Sequence, residues 1–129
     1  LNDEDAISTG RILDLAIDGG IYILKLDGSM LKLFRSPSYR LESLSLNNLP
    51  KNYNFSNLIV GNLPSIQTQA NLKYIYMLLD NRILIFKPNS LRFQDVKSLS
   101  YVGQIEGKNR IIEKFYIEND GEVYFTDSQ

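Results

Sequence analysis

A chain of 129 residues is one domain by length and can bury a sizeable core, and 43% hydrophobic with 22% charged residues is ordinary for a globular protein. Fourteen Lys and Arg stand against fifteen Asp and Glu, scattered to a net charge of -1, so the basic stripe that nucleic acid requires is missing and no nucleic-acid partner is expected. Cys and His are absent, which excludes a disulfide framework, thiolate and imidazole metal sites, and Ser-His-Asp or Cys-His catalysis.

The chain opens Leu1-Asn2-Asp3 without Met, as expected of an excised piece or a mature form, and carries an acidic cluster at Asp3-Glu4-Asp5. No apolar run approaches the roughly 20 residues that span a bilayer, and no signal-peptide pattern is present. The compartment is left unread.

From residue 13 to 34 three short apolar runs are separated by Asp18-Gly19-Gly20 and Asp27-Gly28-Ser29. Such runs, rich in Ile, Leu, Tyr and Phe and bounded by Asp-Gly pairs, predict strands joined by tight hairpins. Glycine interrupts them too often for a helix. Strands are predicted at 12–18, 20–26 and 30–35. The run Ile21-Tyr22-Ile23-Leu24 is apolar on both faces, the pattern of a strand buried between stacked sheets. After a turn at Ser36-Pro37-Ser38, residues 39–46 alternate and predict a half-exposed outer strand, completing a four-stranded meander.

Residues 47–62 are a long polar connection with Pro50 and several Asn, and Leu58-Ile59-Val60 inside it predict a short strand or a plug. Connections of this length are uncommon and often carry binding surfaces. Tyr53, Phe55 and Asn57 are therefore the candidate binding residues, within a wider candidate region at 47–71. A second meander is predicted from Pro64-Ser65-Ile66-Gln67-Thr68, with strands at 73–79, 82–87 and 100–106. A third unit has strands at 112–118 and 122–126 around Asn119-Asp120-Gly121, and the sequence stops before further strands form.

Two registers compete for the repeat. Aligning Asp18, Asp80 and Asp120 spaces the units unevenly. Aligning Tyr22, Tyr76 and Tyr124 gives an interval of about 50 residues, in the range of propeller blades. It superposes Ile21-Tyr22-Ile23-Leu24, Ile75-Tyr76-Met77-Leu78 and Val123-Tyr124-Phe125-Thr126, and sets Leu31-Lys32-Leu33-Phe34 over Ile83-Leu84-Ile85-Phe86. On these residues, with Leu15-Ala16-Ile17-Asp18, Gly20-Ile21-Tyr22-Ile23 and Asn81-Arg82-Ile83-Leu84-Ile85-Phe86, the chain resembles the NHL and YWTD-like β-propeller repeats. Pro64-Ser65-Ile66 resembles their common blade opening. No Trp-Asp or Tyr-Trp-Thr-Asp signature is present.

The resemblance implies an all-β, incomplete β-propeller of about two and a half four-stranded antiparallel blades, at about 11–46, 64–106 and 111–127 in one segment, with 47–62 as a loop insertion. Three arrangements remain open: part of a longer propeller, a ring closed by copies of the chain through open blade edges, or a sheet stack that is not a propeller. Asp18, Asp27, Asp80 and Asp120 fall at turns and lack Ca²⁺-loop spacing. No Gly-rich phosphate loop is present, so neither a metal nor a cofactor is expected. Tyr22, Tyr76 and Tyr124 are expected to pack between blades, with a carbohydrate-binding face as the alternative. The functional expectation is a non-catalytic scaffold for a protein partner or small ligand. The alternatives are a lectin-like module that oligomerises and a fragment of a propeller enzyme.

Overall fold

The computed structural model describes residues 13–17, 20–25, 28–34, 38–51, 53, 65–68, 73–79, 81–108 and 111–127. Their regular structure is strand throughout, apart from one short 3₁₀ turn. Four strands, β1 (Leu13–Ile17), β2 (Gly20–Leu24), β3 (Met30–Phe34) and β4 (Arg40–Ser43), form an antiparallel meander. A second meander runs β6 (Ser65–Thr68), β7 (Ile75–Leu79), β8 (Arg82–Pro88) and β9 (Ser98–Glu106). The third sheet is a hairpin of β10 (Ile112–Ile117) and β11 (Val123–Asp127). The described strands close no barrel or ring, and no helix among them is long and apolar enough to cross a membrane.

The predicted outer strand at 39–46 is split. β4 stays on β3, but the chain then crosses, and β5 (Ser45–Asn47) pairs in parallel with β9 of the second sheet. Leu44 is the pivot. Its N–H donates to the Met30 carbonyl while the next N–H, of Ser45, donates to the Lys97 carbonyl, and its side chain is buried between the sheets. The alternation of polar and apolar residues could not show this, because both halves keep the period of a strand.

The core lies between the first two sheets. Tyr22, Leu24, Met30 and Phe34 from one meet Ile66, Ile75, Met77, Leu79, Leu84, Phe86 and Leu99 from the other. Burial of each such side chain stabilises by roughly 1.5–3 kcal/mol. The 3₁₀ turn at Phe93–Asp95, in the β8–β9 connection, drops Phe93 into the same layer. There its ring meets Tyr22 and Phe34 edge-on at centroid distances of 5.0 and 5.3 Å. Gly20, where the sequence predicts the second strand to begin, is the first residue of β2 and forms the floor under this ring: a Cβ there would collide with Cε2 of Phe93. A second, smaller layer joins Tyr76, Leu78 and Ile83 to Ile112 and Phe115 of the third sheet. Gln67 Nε2 donates to the Phe115 carbonyl at 2.7 Å across it.

β2 and β7, GIYIL and IYMLL, are buried along their whole length, as their two-faced apolarity requires. Tyr22 and Tyr76 each lie on the second strand of a meander, and Tyr124 lies on the second strand of the hairpin. The accompanying superposition of Leu31-Lys32-Leu33-Phe34 on Ile83-Leu84-Ile85-Phe86 is one residue out. Tyr22 opposes Lys32, whereas Tyr76 opposes Ile85. The connection from Leu24 to Met30 is one residue longer than that from Leu78 to Ile83, and a one-residue slip turns every side chain to the other face. Phe34 and Phe86 consequently turn into the same layer from opposite sheets.

Candidate functional site

Of the candidate binding residues, Phe55 and Asn57 lie outside the described residues, as do Leu58-Ile59-Val60. Tyr53 is described and half-buried. Its hydroxyl donates to the Gly28 carbonyl at 2.5 Å and lies 3.8 Å from Met77 Sδ. Its ring stands edge-on to Phe86 at 6.4 Å. The residue thus ties the long connection to the main core. Of the turn aspartates, Asp18, Asp27 and Asp80 are outside the described residues. Asp120 Oδ1 accepts from the Glu122 N–H at 3.0 Å, and Gly121 beside it takes φ +90, so this aspartate shapes its turn.

Among the described residues the most concentrated charge surrounds Lys32, whose side chain is 0% exposed. It sits on the core face of β3, directly opposite Glu42 on β4. Its ammonium donates to the Phe93 carbonyl at 2.9 Å and to the Gln94 carbonyl at 3.4 Å, and stands 3.9 Å from Glu42. The rings of Phe34 and Phe93 lie 4.7 and 5.1 Å from it, close enough for cation–π attraction. Burial pulls the ammonium below the ordinary lysine range, against the opposing pull of Glu42. Burial pushes the Glu42 carboxyl up, but its hydrogen bond from Arg40 and the charges of Lys97 and Lys32 outweigh this and hold it below the ordinary range. A buried ammonium with two carbonyl acceptors is a clamp that holds the 3₁₀ turn on the first sheet. It offers no open face to a substrate. Among the described residues no group of carboxylates is placed to hold a metal ion.

The third sheet differs. Alternation divides its residues between two faces, and a register shift between Ile112 and Lys114 brings Ile112 onto the face of Phe115. Ile112, Phe115, Ile117 and Val123 turn to the second sheet. Lys114, Tyr116, Tyr124 and Thr126 turn the other way, all exposed. They form two cross-strand pairs, Lys114 with Thr126 and Tyr116 with Tyr124, flanking the pair Phe115 and Phe125. Tyr116 is 60% exposed, Tyr124 56% and Phe125 38%. A shallow open groove of about 300 Å³ follows these three pairs.

The equivalent faces elsewhere are covered. Tyr22 is buried between the first and second sheets, and Tyr76 between the second and third, where burial and the neighbouring Tyr74 raise its phenol above the ordinary range. Tyr124, expected to pack between sheets, instead faces solvent. The signal was present in Lys114-Phe115-Tyr116-Ile117, whose alternation places Tyr116 opposite to the buried Phe115. Aromatic rings with polar tips are the side chains that recognition surfaces favour.

No family model matches the chain, and neither a curated protein nor a solved structure does.

Proposed function

We propose that the chain is an incomplete β-propeller of about two and a half blades, akin to NHL and YWTD-like repeats, and that it acts as a non-catalytic interaction scaffold. The outward face of the β10–β11 hairpin is its contact surface. One observation carries the reading: Tyr22 and Tyr76 each turn a face of their sheet to a covering sheet, while Tyr116 and Tyr124 on the third sheet are more than half exposed and no described strand covers them. Neighbouring apolar rings exposed on one face mark an interaction site more than scattered single residues do. The like direction of Tyr22 and Tyr76 supports the blade interpretation, because radial repetition presents the same face of each sheet to the next.

Site-specific photocrosslinking tests the reading. A photoreactive phenylalanine analogue is placed at Tyr124 and, as a control, at Tyr39, which is 66% exposed just before β4. In extract of the source cells, a discrete protein adduct is expected from position 124 and not from position 39. Adducts at both positions or at neither would remove the assignment of this face.

A further inference from the structure

We infer that the connection between β8 and β9 is an acid-released strap: when Glu42 takes up a proton, residues 90–96 lift off the first sheet while the sheets themselves stay folded. The strap is separate from the contact face of the third sheet and stands or falls apart from it.

The connection is built as a unit of its own. Asn89 closes its base: its N–H donates to the Ser98 carbonyl at 3.1 Å, and its Oδ1 accepts from the N–H groups of Lys97 and Ser98 at 2.7 and 3.1 Å. The Ser45 N–H adds a bond to the Lys97 carbonyl at 3.1 Å. Between these anchors only Phe93 and Val96 are buried, while Leu91, Arg92, Gln94 and Asp95 face solvent. A segment with few buried side chains between fixed ends can open without the rest of the molecule. Opening also returns the backbone entropy that closure costs. The slot that it uncovers has Gly20 as its floor and Tyr22 and Phe34 as its walls.

A buried charge holds the strap down. Lys32 belongs to the first sheet, and its ammonium reaches across to the carbonyls of Phe93 and Gln94. Among the described residues Glu42 is its one ion-pair partner, at 3.9 Å. Glu42 is faced as well by Arg40 of its own strand at 3.0 Å and by Lys97 at the end of the strap at 3.4 Å. On the strap itself Asp95 attracts Lys32 from further off and pairs with Arg92 at 3.8 Å in solvent.

A neutral Glu42 leaves Lys32, Arg40 and Lys97 with no carboxylate between them, and Lys32 is fully buried. An uncompensated buried charge is costly. Lifting the strap relieves it, because the strap covers the ammonium and its removal lets water in. The Glu42 side chain is 28% exposed, so protons reach it while the strap is closed. Burial pushes its carboxyl up, and the bond from Arg40 with the charges of Lys97 and Lys32 outweighs this, so release falls below the ordinary 4.5.

Amide exchange of the 129-residue chain, followed by NMR from neutral to about pH 3 and expressed as protection factors, tests the strap. The amides of Asp95 and Val96 bond within the strap. They should lose at least tenfold in protection as Glu42 protonates, with Met77 and Leu84 at the centre of the second sheet unchanged. Glu42→Gln should show the same loss at neutral pH. Lys32→Met should stay closed throughout, alone or combined with Glu42→Gln, because no buried cation then needs a counter-charge. Asp95→Asn should open at the same pH as the unaltered chain. The inference is overturned if Asp95 and Val96 lose protection only together with Met77 and Leu84, if Lys32→Met opens on acidification as the unaltered chain does, if Glu42→Gln keeps full protection at neutral pH, or if Asp95→Asn removes the response. Should Glu42→Gln fail to fold, the unaltered chain and Lys32→Met compared across pH decide the matter.

Discussion

Two of the three sheets are treated alike and the third is not. Between the first and second sheets, residues far apart in sequence converge on one layer that holds Phe93 and a fully buried lysine. On the third sheet, aromatic residues of the same types stand in solvent. Side-chain chemistry does not separate the two regions, since Tyr22 and Tyr124 lie on comparable strands. What separates them is whether another described sheet lies on top. The first region should therefore respond to substitution through stability and the third through association.

The largest effect is expected at Phe93. Phe93→Ala empties the space between Tyr22 and Phe34 and removes a ring beside the Lys32 ammonium. Loss of a buried Phe costs about 3–5 kcal/mol, to be read from denaturant unfolding. A loss below about 0.5 kcal/mol, the range of ordinary surface changes, would mean that the 3₁₀ turn does not seal the core. Gly20→Ala attacks the same contact from below and should cost about 1–3 kcal/mol by overpacking. Because the Cβ conflicts with the Phe93 ring, the cost should fall when Phe93 is already Leu. A double-mutant cycle over the two sites should show coupling well above the roughly 0.5 kcal/mol expected of independent positions.

These two predictions also mark where the sequence was legible. Strand existence and the hairpin order came from apolar runs and Asp-Gly turns, because those signals are local. The Tyr22, Tyr76 and Tyr124 alignment found the second strand of each sheet, while the Phe34 and Phe86 alignment failed because one extra residue in a connection reverses the faces. The crossing at Leu44 and the closeness of Gly20 to Phe93 are contacts over long sequence separations that periodicity does not encode. Lys32 reads as an outward residue in any strand pattern. The carbonyls of the 3₁₀ turn, about 60 residues away, join Glu42 and the two rings in making its burial tolerable. Tyr53 stands in a long polar connection, and what decides its surroundings is Gly28 and Phe86, neither of them near in sequence.

The charged clamp gives an intermediate, pH-dependent effect. Glu42 has a folded pKa below its ordinary 4.5, so its contribution is present above that value and is lost as pH falls through the lower folded one. Lys32 has a folded pKa below 10.5. The unfolded chain then binds more protons between the two values, and stability should rise as pH climbs from the folded pKa towards 10.5. Thermal unfolding across pH should show Glu42→Gln flattening the acid limb and Lys32→Met flattening the alkaline one. Lys32→Met should cost little at neutral pH, since an apolar residue of similar volume commonly replaces a buried charge without loss. An acid limb unchanged in Glu42→Gln would assign the acid response to other carboxylates.

The smallest effect on stability should come from the third sheet. Tyr116→Ser and Tyr124→Ser remove rings that no described strand covers and break only their own cross-strand pair, so each should change unfolding free energy by no more than about 1 kcal/mol. The loss should appear as the disappearance of the crosslinked adduct formed next to them, read with the photoreactive group moved to Thr126 on the same face. The contrast with Phe93 is the decisive part. If the tyrosine variants lost several kcal/mol, the outward face would be supporting the hairpin, as Tyr22 supports the main core, and its exposure would carry no information about a partner. If stability held while the adduct vanished, the same residue type would be shown to serve packing where a sheet covers it and recognition where none does.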